Sequence, residues 1–123
     1  MMKILFVDDL SDTRDVFRIA FGLQGHSTRL AGNGLEAVEA VREEKFDAII
    51  IDVEMPEMNG WDAVREIRKL DNGQSVAIVM FTAYGNGENE RKALGVGANG
   101  LVQKPISPPE LISHVTRFQQ QVA

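Results

Sequence analysis

Residues 48–52 read Ala-Ile-Ile-Ile-Asp, an apolar run that ends directly in a carboxylate. An unbroken apolar run of this length, without a polar residue at every second position, is typical of a strand buried on both faces. Such strands belong to parallel sheets that helices cover on both sides. The stretch therefore predicts an α/β fold with an acidic side chain at the carboxyl end of a central strand.

Four further short apolar runs occur along the chain, and amphipathic segments separate them. They lie at residues 4–7, 27–31, 76–81 and 100–102. Regular alternation of strand and helix predicts a parallel sheet with right-handed crossovers. We therefore predict one domain over residues 1–123: a doubly wound, flavodoxin-like (βα)5 fold with a five-stranded parallel sheet in the order 2-1-3-4-5.

The first helix is predicted to begin at Ser11 as its N-cap and to run to about Gln24, before Gly25. Its apolar positions share one face at helical spacing, which predicts the face that packs on the sheet. These positions are Val16, Ile19, Ala20 and Leu23.

Capping signals mark two later helices. Asn33 is followed by Glu36, a capping-box spacing, and Ser107 is followed by Pro108 and then Glu110. A short polar helix is predicted near residues 88–94.

Composition limits the function. The 123 residues carry a formal net charge of −5, which argues against nucleic-acid binding by this domain alone. There is no cysteine, so thiolate metal sites and cysteine nucleophiles are excluded. No apolar run reaches the ~20 residues that span a bilayer. We therefore expect a cytoplasmic domain that makes no membrane contact.

Polar residues stand at the carboxyl ends of four of the predicted strands. Asp8 and Asp9 follow the first, Asp52 the third, Thr82 the fourth and Lys104 the fifth. Ligands of doubly wound sheets bind beyond these strand ends, where the strand order reverses. Each residue alone has an ordinary structural explanation, such as a helix-end charge or a solvated lysine. Their occurrence together favours a shared site.

The three aspartates predict a divalent cation. The first and third strands would be neighbours about 4.8 Å apart, so Asp8, Asp9 and Asp52 would repel one another. Mg²⁺ prefers oxygen ligands and is usually held by one or two carboxylates together with phosphate oxygens. Asp12, already inside the first helix, is expected to favour only the helix dipole.

A phosphoryl-transfer site follows from the same residues. A carboxylate such as Asp52 can act as the nucleophile and form an aspartyl phosphate. Lys104 supplies positive charge, and Thr82 can donate a hydrogen bond to a phosphoryl oxygen.

The chain resembles the CheY-like receiver domain of two-component response regulators over essentially its whole length. The matching stretches are Phe6-Val7-Asp8-Asp9, Asp52 through Met55-Pro56 to Asn59-Gly60, Thr82-Ala83 and Lys104-Pro105. The resemblance implies Asp52 as phosphoacceptor. It implies Asp9 and Asp52 as direct Mg²⁺ ligands, Asp8 acting through water and the backbone carbonyl of Glu54 as a third protein ligand. It also implies that Lys104 binds the phosphoryl group and that its bond to Pro105 is cis.

The same resemblance implies a partner on each side of the signal. A sensor histidine kinase or phosphotransfer protein would supply the phosphoryl group, and an unknown downstream protein would recognise the switched surface. The domain would catalyse only its own phosphoryl uptake and loss. Position 101 departs from the family, because Leu101 stands where an aromatic residue normally rotates. Glu54 and Tyr84 flank the pocket and are expected to tune the phosphate lifetime.

Two alternatives carry a different function. A haloacid-dehalogenase-like, Mg²⁺-dependent phosphatase also combines Asp, Thr and Lys, but its nucleophile follows the first strand and its acidic pair comes late. An FMN binder needs a phosphate cradle after the first strand, where Asp8 and Asp9 would repel phosphate. The chain stops one helix after Lys104, which fits either a stand-alone receiver or one that a linker would follow; Met1 at the start and a complete last helix favour the stand-alone receiver.

Overall fold

The computed structural model of the protein describes residues 1–122, in which five parallel strands alternate with five α-helices. The strands are β1 Lys3–Val7, β2 Ser27–Ala31, β3 Ala48–Asp52, β4 Ala77–Thr82 and β5 Gly100–Gln103. The helices are α1 Ser11–Leu23, α2 Gly34–Glu43, α3 Gly60–Arg68, α4 Gly87–Val96 and α5 Pro108–Val122, with a 3-10 turn at Asp71–Gly73.

The strand order is β2-β1-β3-β4-β5, and every neighbouring pair is parallel. The predicted doubly wound, CheY-like topology is therefore confirmed. Within residues 1–122, no helix combines the length and the apolar character that crossing a bilayer requires.

The central strand β3 explains why its sequence is an unbroken apolar run. All five of its residues are buried, because helices cover both faces of the sheet. Ile49 and Ile51 face a core shared with α2, α3 and α4. Ile50 faces the opposite core, shared with α1 and α5. The strand thus contributes to two separate apolar layers, which removes any need for polar alternation.

The predicted core face of α1 is wrong. Val16, Ile19 and Leu23 are 55%, 56% and 85% exposed, whereas Phe17 and Phe21 are buried. The two rings lie one turn apart and pack on Phe6 of β1. The centroid of Phe6 lies 4.9 Å from that of Phe17 and 6.0 Å from that of Phe21. Burying aromatic rings removes more apolar surface from water than burying the aliphatic stripe, so the aromatic pair sets the rotation of the helix.

The N-cap of α1 also differs from the prediction. Leu10 occupies the cap position and makes no side-chain capping bond, while Ser11 is already the first helical residue. The main-chain N–H of Leu10 instead donates to the Asp8 carboxylate at 2.8 Å. The aspartate before the helix therefore performs the anchoring that we predicted for Ser11.

The caps of the later helices follow the sequence. The Asn33 side chain accepts from the main-chain N–H of Glu36 at 2.9 Å, and Ser107 Oγ accepts from that of Glu110 at 3.3 Å. Helix α4 is longer than the predicted 88–94. The Asn86 side chain caps it, accepting from the main-chain N–H of Asn89 at 2.8 Å, so it begins one residue earlier, at Gly87, and it ends at Val96.

The amino edge of the sheet is held by Arg68, the last residue of α3. Its guanidinium donates to four acceptors: the carbonyls of Gly97 at 2.8 Å, Gly73 at 2.9 Å and Val76 at 2.7 Å, and the Asn99 side chain at 3.1 Å. The same Asn99 oxygen accepts from the main-chain N–H of Ile78 at 2.8 Å. The guanidinium therefore connects the end of α3 to the starts of β4 and β5.

Candidate functional site

The carboxyl edge of the sheet brings the three predicted aspartates together. Asp8 and Asp9 directly follow β1, and Asp52 is the last residue of the neighbouring β3. One carboxylate oxygen from each residue lies within 4.8 Å of the others. Asp8 and Asp52 are buried and Asp9 is exposed. The cluster is therefore open to solvent on the Asp9 side.

Lys104 reaches this cluster from the segment that follows β5. Its Nζ lies 3.2 Å from Asp52 Oδ2 and 3.6 Å from Asp8 Oδ2. It also sits over the Phe81 ring, 4.5 Å from the centroid, which adds a cation–π contact. The predicted lysine is thus in place, beside the two buried carboxylates.

Two buried oxygen atoms in the cluster have no hydrogen-bond partner among residues 1–122. They are Asp8 Oδ2 and Asp52 Oδ1. Buried polar atoms are nearly always paired, because desolvation without a partner is costly. One lysine also cannot balance the charge of three carboxylates. Free oxygen ligands together with excess negative charge are what a hard divalent cation such as Mg²⁺ requires, so the residues present fit this ion.

The pKa of Asp52 records the balance of these forces. It is raised from 3.8 to about 6, mainly by burial and to a smaller extent by the nearby carboxylates of Asp8 and Glu54. Lys104 lowers the pKa through its charge and its hydrogen bond, but it does not cancel the effect of burial. At neutral pH Asp52 is ionised, and it carries its charge in an unfavourable environment.

The backbone around Asp52 is packed closely. The main-chain N–H of Gly60 donates to the Val53 carbonyl at 2.8 Å, which folds the β3–α3 loop back over the end of β3. A Cβ at Gly60 would stand 2.2 Å from the Asp52 carbonyl oxygen, so only glycine allows this approach. Glu57, in the same loop, has a φ of 68°, in the left-handed region.

The loop after β1 fixes Asp8 in a similar way. Asp8 Oδ1 accepts from the Leu10 main chain, and Arg14 Nη1 donates to the Asp8 carbonyl at 2.8 Å. One turn of α1 thus holds the loop that carries both aspartates. Asp12, in the first turn of α1, is exposed and lies outside the metal-binding cluster.

Thr82 is fully buried at the end of β4 and faces a partner that the sequence did not reveal. Its Oγ1 lies 3.0 Å from each carboxylate oxygen of Glu54. The same Oγ1 accepts from the Tyr84 main-chain N–H at 3.1 Å. The hydroxyl is thus bound to Glu54 from the loop after β3 and to Tyr84 in its own loop.

The amino-acid sequence matches a known protein family. The response regulator receiver domain matches residues 4–116. The chain belongs to this family. A 14.6 kDa protein of Leptolyngbya boryana is 36% identical over 95% of this chain and 89% of its own length.

Longer relatives contain a matching receiver as one part. The transcriptional regulatory protein CpxR homologue of Haemophilus influenzae is 34% identical over 94% of this chain, which corresponds to 49% of that protein. The chain therefore spans about half the length of such regulators.

Solved receiver structures agree with the fold. The chemotaxis protein CheY4 of Vibrio cholerae aligns with a TM-score of 0.91 at 31% identity, covering 96% of this receiver and 98% of that chain. The receiver domain of the sensor histidine kinase PA1611 of Pseudomonas aeruginosa gives a TM-score of 0.88 at 29% identity, over 97% of this receiver and 98% of that chain. That structure has a magnesium ion coordinated in its active-site cleft.

This receiver is therefore a phosphoacceptor module of two-component signal transduction. Receiver domains are signalling modules, which take phosphoryl groups from histidine kinases, and not classical enzymes. The haloacid-dehalogenase-type alternative is not supported. The acidic cluster of Asp8, Asp9 and Asp52 is able to hold a metal ion.

The structure shows one contact in this receiver that was not predicted from the sequence. It also locates two features that the sequence had indicated. The missed contact joins Glu54 to Thr82; the only signal for it was an acidic residue two positions after Asp52. The bond between Lys104 and Pro105 is cis, as the resemblance implied. Leu101 is partly buried against the core under α2, α3 and α4.

Proposed function

We propose that Asp52 is the residue of this receiver that accepts the phosphoryl group. The observation that carries the proposal is the Asp52 carboxylate itself, which is 3% exposed, lies 3.2 Å from Lys104 Nζ and keeps Oδ1 free of hydrogen bonds within residues 1–122. An ionised carboxylate oxygen that accepts no hydrogen bond is a nucleophile that needs no prior deprotonation at neutral pH.

The chain's own residues then act as follows. An Asp52 carboxylate oxygen attacks phosphorus as the bond from phosphorus to the donor's leaving group breaks, and the leaving group departs with that bonding pair. The Lys104 ammonium neutralises charge on the phosphoryl oxygens. The Thr82 hydroxyl can donate to one of those oxygens once it is free to do so. Hydrolysis of the acyl phosphate by water restores Asp52, so the domain catalyses only its own uptake and loss of phosphate.

The metal-binding set is part of this proposal. Asp8, Asp9 and Asp52, with the main-chain carbonyl of Glu54, would hold Mg²⁺; the family resemblance implies that Asp8 acts through water. When bound, the ion supplies positive charge that offsets the carboxylates and the phosphoryl oxygens. The assignment is supported by the converging carboxylates and by the unpaired oxygens of Asp8 and Asp52.

The proposed donor is a phosphohistidine on a sensor histidine kinase or phosphotransfer protein. An apolar groove of about 450 Å³ next to the site supports a protein donor. Leu10, Phe17, Phe81, Pro105 and Ile106 line it together with Lys104, which also contacts Asp52. The groove is therefore continuous with the phosphoacceptor, and a partner helix seated there would present its histidine to Asp52.

The extent of the domain, its location in the cell and its downstream partner are also predictions about this chain. We propose that residues 1–123 act as one receiver domain, that it works in the cytoplasm and that it passes its signal to a downstream protein. Binding of nucleic acid or membrane by this domain is not expected, which the formal net charge of −5 supports.

Labelling by acetyl phosphate tests the assignment. Wild-type protein with Mg²⁺ is expected to gain one acid-stable, hydroxylamine-sensitive phosphoryl group, detected by intact-protein mass spectrometry and mapped to Asp52. Asp52→Asn and EDTA-treated wild type are expected to stay unlabelled. Asp15→Asn, which changes an exposed α1 aspartate, is the matched control and should label normally. Equal labelling of Asp52→Asn, or labelling that EDTA does not reduce, would contradict the proposal.

A further inference from the structure

The Thr82 hydroxyl is already engaged on both of its hydrogen-bonding sides. A hydroxyl has a single proton, and here the contacts of 3.0 Å to both Glu54 oxygens direct that proton to the Glu54 carboxylate. Its oxygen accepts from the Tyr84 main chain at 3.1 Å, which limits rotation of the hydroxyl. While Glu54 holds this proton, Thr82 has none to offer to a phosphoryl oxygen on Asp52.

We propose that the Glu54 carboxylate competes with the incoming phosphoryl group for the Thr82 hydroxyl and thereby lowers the affinity of the site for phosphate. Both competitors are anions that accept through oxygen, so they cannot share one proton, and their charges repel. Occupation of Asp52 by a phosphoryl group therefore requires the Glu54 side chain to move away. This inference rests on the function proposed above, with Asp52 as phosphoacceptor.

The two partners differ in how freely they can move. Thr82 is fully buried in the last position of β4, whereas Glu54 is exposed in the loop after β3. Within residues 1–122, no lysine or arginine pairs with Glu54, and its side-chain hydrogen bonds go to Thr82 alone. Glu54 is thus the partner that leaves, and it leaves towards water.

The charge at the site works in the same direction. Asp8, Asp9, Asp52 and Glu54 place four carboxylates at the site, and among residues 1–122 Lys104 is the cation that pairs with those of Asp8 and Asp52. A phosphoryl group on Asp52 adds further negative charge. The repulsion between that charge and Glu54 is relieved when the Glu54 side chain swings out, so phosphoryl uptake and Glu54 departure are coupled.

Beryllofluoride, a phosphoryl analogue, tests the competition at equilibrium without turnover. It would be titrated into Mg²⁺-saturated protein and followed by fluorescence of Trp61, the single tryptophan, which lines the same cleft as Asp9 and Glu54. Glu54→Ala is expected to bind it about 3- to 10-fold more tightly than wild type, as loss of one charged hydrogen-bonding competitor predicts. Glu57→Ala removes the same charge from the same loop without touching Thr82, and we expect a change below about 2-fold.

A second background separates the hydroxyl from general charge. In Thr82→Ala there is no proton to compete for, so adding Glu54→Ala should no longer tighten binding. Rates of acetyl phosphate labelling in wild type, Glu54→Ala, Thr82→Ala and the double variant give an independent ratio if beryllofluoride binds the Thr82→Ala proteins too weakly to titrate. Loss of the gain in this background supports the proposal. No gain in Glu54→Ala, or a gain of equal size in both backgrounds, overturns it.

The experiments distinguish a failure of the proposed competition from a failure of the proposed phosphoacceptor function. Wild-type protein that acetyl phosphate does not label on Asp52 would overturn the phosphoacceptor assignment itself. Wild-type protein that is labelled normally, combined with no effect of Glu54→Ala, would overturn the competition alone.

Discussion

The two edges of the sheet hold charge in opposite ways. At the amino edge, Arg68 is half-buried and gives its guanidinium hydrogens to four acceptors between 2.7 and 3.1 Å away. At the carboxyl edge, Asp8 and Asp52 are buried, and each keeps one oxygen without a hydrogen bond within residues 1–122. One edge satisfies its charged group with fixed protein dipoles, whereas the other leaves its carboxylates short of partners.

The difference separates a structural charge from a reactive one. Burial lowers the pKa of Arg68, but the guanidinium stays charged, and its acceptors fix the starts of β4 and β5. Burial raises the pKa of Asp52, and no set of donors offsets that cost. The buried Asp52 carboxylate, the proposed phosphoacceptor, lacks partners within the protein. A metal ion and a phosphoryl group would supply them. The Arg68 hydrogen bonds at the amino edge thus stabilise the fold, whereas the buried charge of Asp52 at the carboxyl edge destabilises it.

Arg68→Ala is expected to have the largest effect on stability. The substitution removes the donor of three carbonyls and one of the two donors of the Asn99 oxygen, so we expect the free energy of unfolding to fall by about 3–4 kcal/mol. Urea denaturation followed by Trp61 fluorescence measures it. Arg65→Ala is the control, because Arg65 is on the same helix, is half-exposed and among residues 1–122 pairs with Asp62 alone. This variant should lose less than about 0.5 kcal/mol.

Arg68→Lys sharpens the same test. An ammonium lacks the planar fork of a guanidinium and cannot reach all four separated acceptors, so most of the loss should remain. A loss below about 1 kcal/mol in Arg68→Ala would show that the amino edge does not depend on this network.

Asp52→Asn is expected to stabilise the metal-free protein. The unfolded carboxyl titrates near 3.8 and the folded one near 6, so the folded state binds the proton more tightly and ionisation of Asp52 opposes folding. The cost is small below pH 4, grows between pH 4 and 6 and is complete above pH 6. With EDTA at pH 7.5, the variant should gain about 2 kcal/mol, and the gain should be roughly halved at pH 5.

The control for this prediction is Asp15→Asn, which changes an exposed aspartate and should show little gain at either pH. Urea denaturation at pH 7.5, 6 and 5 provides the comparison. A gain that is independent of pH, or a net loss at pH 7.5, would mean that the charge of Asp52 is not the cost we assign to it.

The sequence predicted the carboxyl edge better than the amino edge, for a physical reason. Asp8, Asp52, Thr82 and Lys104 end buried strands, and parallel topology brings strand ends together whatever the helices do. The Arg68 network joins residues up to 29 positions apart through main-chain carbonyls, which every sequence has. Local patterns therefore carry no trace of it.

Two further failures have related causes. The rotation of α1 depended on two phenylalanines that pack on Phe6, whereas the aliphatic stripe had an equally good helical period. The contact between Glu54 and Thr82 depended on the path of a loop in which Glu57 adopts a positive φ. Periodicity selects among faces only when one face is more apolar, and loop paths follow from contacts made elsewhere in the fold.

Magnesium should reduce the contrast between the two edges. An ion that binds only the folded state adds about 1.4 kcal/mol to its stability at ten times the dissociation constant. We expect this gain for wild type, with the constant measured by Trp61 fluorescence, and little or none for Asp52→Asn at the same Mg²⁺ concentration. Asp15→Asn should respond like wild type. Equal stabilisation of all three proteins would place the ion outside the carboxyl edge.

Strand β5 joins the two edges, so its response to a phosphoryl analogue gives the smallest effect. Its amino end is held through Asn99 and Arg68, and its carboxyl end leads to Lys104. Leu101, between them, has no aromatic ring to rotate, so we expect little change to pass along the strand.

On addition of beryllofluoride, amide shifts should be large at Thr82 and Lys104 and small along β5 and α5, as measured by ¹H–¹⁵N correlation spectra. Leu101→Tyr restores an aromatic residue at the position, and it should enlarge the shifts along β5 if the ring is what the wild type lacks. Large shifts throughout β5 and α5 in the wild type would contradict this expectation. They would mean that β5 itself moves relative to the Arg68 network and that the signal leaves the carboxyl edge without an aromatic switch.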